Sequence, residues 1–314
     1  MIKILEPGLL TTIQDGGRTG QLRYGIPPSG PMDRRALIIA NRLVGNADTA
    51  AALECAYMGP RFDVAHPCAI AVTGAPAPVT VNREPVPAWT TVVLKAGDQV
   101  RVGVPKSGVF SYVAFAGGID VPMVLGSRAT YVKGRLGGLG GRALRAGDVL
   151  QLGPATDAPR RRTVDRRYVP DFDSEPEIRV VLGPQSDRFT EDGVAALLGG
   201  PYEMLPQSDR MGARLRGPRI THARGHDIIS DGIPLGGIQV PGDGQPIVLL
   251  VDRQSTGGYT KIATVCSIDI GRIGQVKPGK RLTFRAIEVA EAHRLLREDA
   301  QSLAGAVREG NEEP

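Results

Sequence analysis

Gly225 to Val265 reads GHDIISDGIPLGGIQVPGDGQPIVLLVDRQSTGGYTKIATV, and its pattern sets the fold class. Two apolar runs, Pro246 to Val251 and Tyr259 to Val265, are short and rich in β-branched residues, so they read as strands. Gly236-Gly237 and Pro241-Gly242-Asp243-Gly244 punctuate the approach to them as turns. Between the runs lie seven polar or glycine residues, Asp252 to Gly258. A hairpin commonly closes with about two to five residues. The longer polar loop is therefore expected to be a binding rim held by a rigid sheet. The plainer alternative is a long hairpin with a solvated tip.

The same turn-and-strand grammar recurs. Ala96-Gly97-Asp98-Gln99-Val100-Arg101-Val102-Gly103 and Ala146-Gly147-Asp148-Val149-Leu150-Gln151-Leu152-Gly153 are near copies. Pro278-Gly279-Lys280-Arg281-Leu282-Thr283-Phe284 is a looser third. Each reads as a tight turn feeding an alternating strand, in related β units. Residues 52–153 are a succession of such short strands. With 41 glycines and 25 prolines and no short repeat, the chain is expected to be mainly β with a few helices. One helix follows a cap at Ser29 or Asp33, one covers about Arg188 to Leu198, and an amphipathic one covers Ala286 to Val307. Gly134 to Gly141 has few side chains to build a core and is expected to be a mobile flap. The stretch after Gly153 is charged, proline-containing and poor in apolar residues. It divides the expected domains into 1–155, a linker at 156–176, and 177–314.

Composition excludes several classes of function. The chain has 314 residues, 41% hydrophobic and 23% charged, with a net charge of +5. Aromatics are only 4%, which leaves few platforms for stacking bases, so no nucleic acid partner is expected. Cys55, Cys68 and Cys266 are scattered and form no CxxC pair, which fits buried thiols in a reducing compartment. MIKILEPGLL does not read as a signal peptide. No apolar run approaches the roughly 20 residues of a membrane span. A cytoplasmic protein without a membrane partner is the expectation.

No catalytic motif stands out by spacing. There is no GxxxxGK[ST], GxGxxG, GxSxG or HExxH, and His222 and His226 lie in β-type surroundings that argue against a helical metal pair. No metal site is expected. What remains is a set of polar groups in glycine-rich loops. Asp15, Asp231 and Asp252 are the candidates for acid–base work. Gln14, Arg18, Arg128, Tyr131, Arg210, Gln239, Arg253, Thr256, Tyr259 and Lys261 are the candidates for holding substrate, because an arginine fork grips a carboxylate or small oxyanion with two bonds. Any one of them alone is more at home in a surface turn or cap. It is the set that points to a site.

Several blocks, in order, carry a resemblance: TTIQDGGRTGQLRYGIPPSGPMDRRALIIANRLVGN, AGGIDVPMVLGSRATYVKGRLGGLGGRALRAGDVL, VVLGPQSDRFT, SDRMGARLRG and SDGIPLGGIQVPGDGQPIVLLVDRQSTGGYTKIATV. They resemble the KipA-type, biotin-dependent-carboxyltransferase-like proteins, long called allophanate hydrolase subunit 2. The likeness covers nearly the whole chain. It implies two cyclophilin-like β-barrel units. It implies a KipI-like partner, equivalent to the B component of 5-oxoprolinase, together with the A component. Stand-alone bacterial members resemble the C component of the ATP-dependent 5-oxoprolinase, which opens 5-oxoproline to glutamate. ATP is thus an implied cofactor, bound here or by a partner protein. Two alternatives follow from the same family. One is the carboxyltransferase part of a urea carboxylase. It would need biotin on a separate carrier, because the biotin-bearing Met-Lys-Met stretch is absent here. The other is a regulator that captures a KipI-type kinase inhibitor. The Ser-rich signature of the amidase that hydrolyses allophanate is also missing. The resemblance transfers no individual catalytic residue, so the site candidates rest on the loops.

Overall fold

The computed structural model describes residues 1–155 and 160–309. The chain divides into two compact units. The first comprises Met1–Thr19, Ser29–Phe172 and the segment from Ser302. The second comprises Gly20–Pro28 and Asp173–Gln301. Of the expected linker, residues 156–159 lie outside the described residues, as do 310–314 at the end of the expected second domain.

In the first unit the strands are β1 (Ile2–Glu6), β2 (Leu10–Gln14), β3 (Ala52–Ala56), β4 (Arg61–Val64), β5 (Cys68–Gly74), β6 (Val79–Val81), β7 (Glu84–Val86), β8 (Thr91–Leu94), β9 (Gln99–Val102), β10 (Phe110–Phe115), β11 (Ile119–Asp120), β12 (Val149–Leu152) and β13 (Arg162–Val164). They form a seven-stranded sheet, β11-β12-β1-β4-β9-β6-β7, and a five-stranded sheet, β2-β3-β10-β5-β8. Ile2, Ile4, Phe62, Val64 and Val100 from the first pack with Ile13, Leu53, Ile70, Val72, Val113 and Phe115 from the second in one buried core. The rings of Phe62 and Phe115 meet edge-on at 5.5 Å.

The outer face of the five-stranded sheet is polar yet buried. Cross-strand register puts Thr12, Gln14, Glu54, Tyr112, Thr73 and Thr91 on that face. Helix α1 (Arg34–Leu43) covers it, and hydrogen bonds fasten the helix along its length. Tyr112 Oη donates to Glu54 at 2.7 Å and accepts from the Asp33 N–H at 2.7 Å. The Met32 N–H also reaches Glu54, at 2.7 Å. Thr73 Oγ1 donates to the Ala36 carbonyl and Thr91 Oγ1 to that of Leu43. Asp33 supplies the cap, accepting from the Ala36 N–H at 3.0 Å. Burial, then the Glu54 and Asp33 charges, push the Tyr112 phenol well above its usual pKa.

The second unit holds β14 (Glu177–Leu182), β15 (Tyr202–Met204), β16 (Gly212–Arg216), β17 (Asp227–Gly232), β18 (Gly237–Gln239), β19 (Ile247–Leu249), β20 (Thr256–Tyr259), β21 (Lys261–Val265) and β22 (Arg281–Ala286), with helices α2 (Glu191–Gly199), α3 (Ile270–Gly274) and α4 (Val289–Ala304). Seven of the strands close into a barrel, β14-β21-β18-β19-β16-β15-β22, with β22 returning parallel to β14. β17 and β20 form a separate two-stranded ribbon. Ile178, Val180, Ile238, Val248, Ile262, Leu282 and Phe284 are buried in this unit. Near the C-terminus, β23 (Val307–Glu309) pairs with β13 in the first unit. The fold is mainly β with four α-helices among the described residues. None of these is long and apolar enough to cross a membrane.

The three sequence copies share one turn. Gly97, Gly147 and Gly279 have φ of +88°, +88° and +82°, a region that suits glycine. Each glycine N–H donates to a neighbouring strand residue (Val64, Ile4 and Met204), whose own N–H donates back to the carbonyl of Asp98, Asp148 or Lys280. The first two copies become β9 and β12, which flank the β4–β1 pair, and the third becomes β22.

Two loop expectations change. Only the first part of the polar loop is a turn, because Thr256–Tyr259 pairs with Asp227–Gly232. Gly134 to Gly141 is not an open flap. Gly138 N–H binds the Arg128 carbonyl, and a Cβ on Gly137 would lie 2.1 Å from the Ala129 carbonyl oxygen. The glycines there permit close packing, a need that composition does not reveal.

Candidate functional site

The candidate residues form one group in each unit. In the first, β2 ends in Gln14 and Asp15 follows it. Asp15 Oδ1 accepts from Ser127 Oγ at 2.6 Å and from the Gly17 N–H at 2.9 Å, and Oδ2 accepts from the Arg128 N–H at 2.5 Å. Arg18 is only 1% exposed, and its guanidinium binds the carbonyls of Val124 (3.3 Å) and Ala129 (2.7 Å). Arg128 directs its side chain to the Val121 carbonyl and to Asp120. Tyr131 exchanges backbone bonds with Leu136, and Gly134 packs against its ring. Gln14 is fully buried. Its Nε2 donates to Thr12 Oγ1 and the Thr130 carbonyl, while its Oε1 has no hydrogen-bond partner among the described residues. The charged members here hold loops together.

In the second unit the ribbon and barrel bring another group together. Lys261, the first residue of β21, places Nζ 3.2 Å from Asp231 on β17. Gln185 spans the pair, with Oε1 accepting from the Lys261 N–H at 2.9 Å and Nε2 reaching Asp231 at 3.4 Å. The Lys261 hydrogen bond, then the Gly232 N–H, hold the Asp231 carboxyl below its usual pKa. Gln239 pairs in register with Lys261, and its Nε2 reaches the Tyr259 carbonyl at 3.4 Å. Tyr259 is half-exposed, its ring centroid 6.4 Å from that of His226, and Thr256 is exposed at the ribbon's other end. Arg210 and Asp252 form a two-pronged ion pair, 2.8 and 3.2 Å, nearly closed to solvent. Arg253 next to it is buried and, among the described residues, bound only to the carbonyls of Ile233 and Leu250. Burial pushes its guanidinium pKa down. His222 binds the Val240 carbonyl and stacks on Phe189, and burial lowers its pKa too.

Sequence reasoning passed over Gln185. It sits in the GPQSD turn before α2, and its only sequence signal was a polar residue in a Gly-Pro turn.

Known proteins share this fold. The family model for the carboxyltransferase domain, subdomain A and B, matches residues 24–286. The chain belongs to this family. Among carboxyltransferase-domain relatives, it is 37% identical to the C component of 5-oxoprolinase from Escherichia coli, over 93% of both chains. It is 34% identical to the protein of the same name in Haemophilus influenzae, over 95% of both. Its fold matches the K. lactis urea amidolyase crystal structure with a TM-score of 0.92 and 32% identity, covering 98% of this chain but 20% of that one. The family thus includes proteins of this chain's own length and much larger ones in which it corresponds to one module.

Proposed function

We propose that the chain is the C component of an ATP-dependent 5-oxoprolinase, acting on the cyclic amide 5-oxoproline together with an A component and a KipI-like B component. The observation that supports it is the identity to the two 5-oxoprolinase relatives, 37% and 34%, sustained along the aligned sequence. The two 5-oxoprolinase relatives are covered over 93% and 95% of their length, whereas the chain spans only 20% of the urea amidolyase structure.

The chemistry fits the ribbon-side group. Opening the ring breaks one C–N amide bond, while water adds oxygen to the carbonyl carbon and a proton to the nitrogen. Lys261 donates a proton to the departing nitrogen, and Asp231 beside it accepts one from water. Gln185 fixes the pair in place. ATP is assigned to a partner protein, because this chain has no phosphate-binding loop signature.

The test is ATP hydrolysis by the purified chain, alone and mixed with candidate A and B components. Turnover that needs 5-oxoproline and every component is expected. The family's larger members favour a second reading, carboxyl transfer to urea. Urea-dependent turnover on adding a biotinylated carrier, with none on 5-oxoproline, would replace the first reading by this one.

A further inference from the structure

A buried charge ordinarily has a partner of opposite sign, because leaving water costs far more than neutral contacts return. The second unit obeys this at Arg210, paired with Asp252, and at Arg179, 2.6 Å from Asp269. Arg253 departs from it. It is 5% exposed and meets no carboxylate among the described residues. Its Nε donates to the Ile233 carbonyl at 3.0 Å and its Nη1 to that of Leu250 at 3.4 Å, and its Nη2 has no partner there. One ordinary and one long hydrogen bond to neutral groups leave most of a five-donor fork unused.

A second polar group nearby is equally unfinished. Gln239 is 2% exposed, its Nε2 makes a single long bond, and its Oε1 has no partner among the described residues. Ile233 connects the two. Its carbonyl takes the Arg253 bond, and Gly257 packs against its side chain and against the Gln239 amide. A Cβ on Gly257 would lie 2.7 Å from Gln239 Nε2 and 2.7 Å from Ile233 Cδ1, so a larger residue there would push both side-chain ends aside.

We infer that Arg253 and Gln239 form a binding site for a small organic carboxylate bearing an adjacent amide. The guanidinium takes the carboxylate through its free donors. The Gln239 carboxamide, a donor and an acceptor side by side, pairs with the ligand's amide. The choice of a lactam acid rests on the function proposed above, while the anion site rests on the unpaired arginine.

The experiment measures binding to the full chain, alone and with its partner proteins, by calorimetry and thermal shift. The probes are 5-oxoproline, its uncharged carboxamide, acetate and inorganic phosphate. Wild type is expected to bind 5-oxoproline at least tenfold tighter than the carboxamide. Arg253→Met should erase that ratio and melt no lower than wild type, since it removes an uncompensated charge. Arg253→Lys, which keeps the charge without the fork, should retain part of it. Gln239→Leu should weaken 5-oxoproline about tenfold and leave acetate unchanged. Protection by acetate or phosphate through Arg253, with none by 5-oxoproline, would uphold the anion site and count against the 5-oxoprolinase reading. A ratio unchanged in both Arg253 variants, in a complex that still turns over 5-oxoproline, would overturn the site and leave that reading standing.

Discussion

The loop around Asp15 and the loops around Lys261 and Arg253 use the same residue types for opposite ends. In the first unit, Asp15 accepts from three donors and Arg18 Nε and Nη2 donate to backbone carbonyls, so these charges help shape the 121–141 loop. In the second, Asp231 is exposed beside a lysine, and Arg253 is buried without a counter-charge among the described residues. The two aspartates differ in burial rather than in bonding, since each accepts three hydrogen bonds but Asp15 is 9% exposed and Asp231 stands open to solvent.

The comparison can be broken by substitution. Asp15→Ala should have the largest effect on folding. It strands three donors, and hydrogen bonds to charged groups contribute roughly 1.5–3 kcal/mol each without adding fully, so a loss of about 3–5 kcal/mol is expected in denaturant unfolding. A loss below about 1 kcal/mol would mean that water replaces the carboxylate and that the loop does not depend on it. Lys261→Met should do the reverse. Steady-state kinetics of the full complex should show kcat down about 100-fold, in the range of a lost acid–base group. The chain itself should stay within about 1 kcal/mol of wild type, as for a partly exposed ion pair. Unchanged kcat would remove Lys261 from the chemistry.

The smallest effect concerns His222. Burial holds its folded pKa below the unfolded value of about 6.5. The unfolded chain then binds the proton more readily. Stability is complete above about pH 6.5 and falls as pH drops toward the folded pKa. His222→Gln should flatten that part of the stability–pH curve. An identical slope in the variant would assign it to other groups.

Much of the architecture was legible residue by residue. Two Gly-Asp turns and one Gly-Lys turn announced three related strands, because a positive φ and a following alternation are local demands that sequence states directly. The helix capped at Asp33 was readable for the same reason. Gly134 to Gly141 misled, since glycine marks both looseness and close approach, and only the carbonyl of Ala129 packed against Gly137 tells them apart. The polar face of Thr12, Glu54, Tyr112 and Thr73 was hidden in another way. Alternation says which side a residue faces, while what covers that side is a long-range fact.

By itself, then, the sequence determined a mainly β chain, its turn-strand units, its family, and the two sets of polar loops from which a site would be drawn. Only the tertiary structure decided which charges in those loops are satisfied. That depends on carbonyls and carboxylates contributed from far along the chain: Asp15 meets Ser127, Arg210 meets Asp252, and Arg253 meets only carbonyls among the described residues.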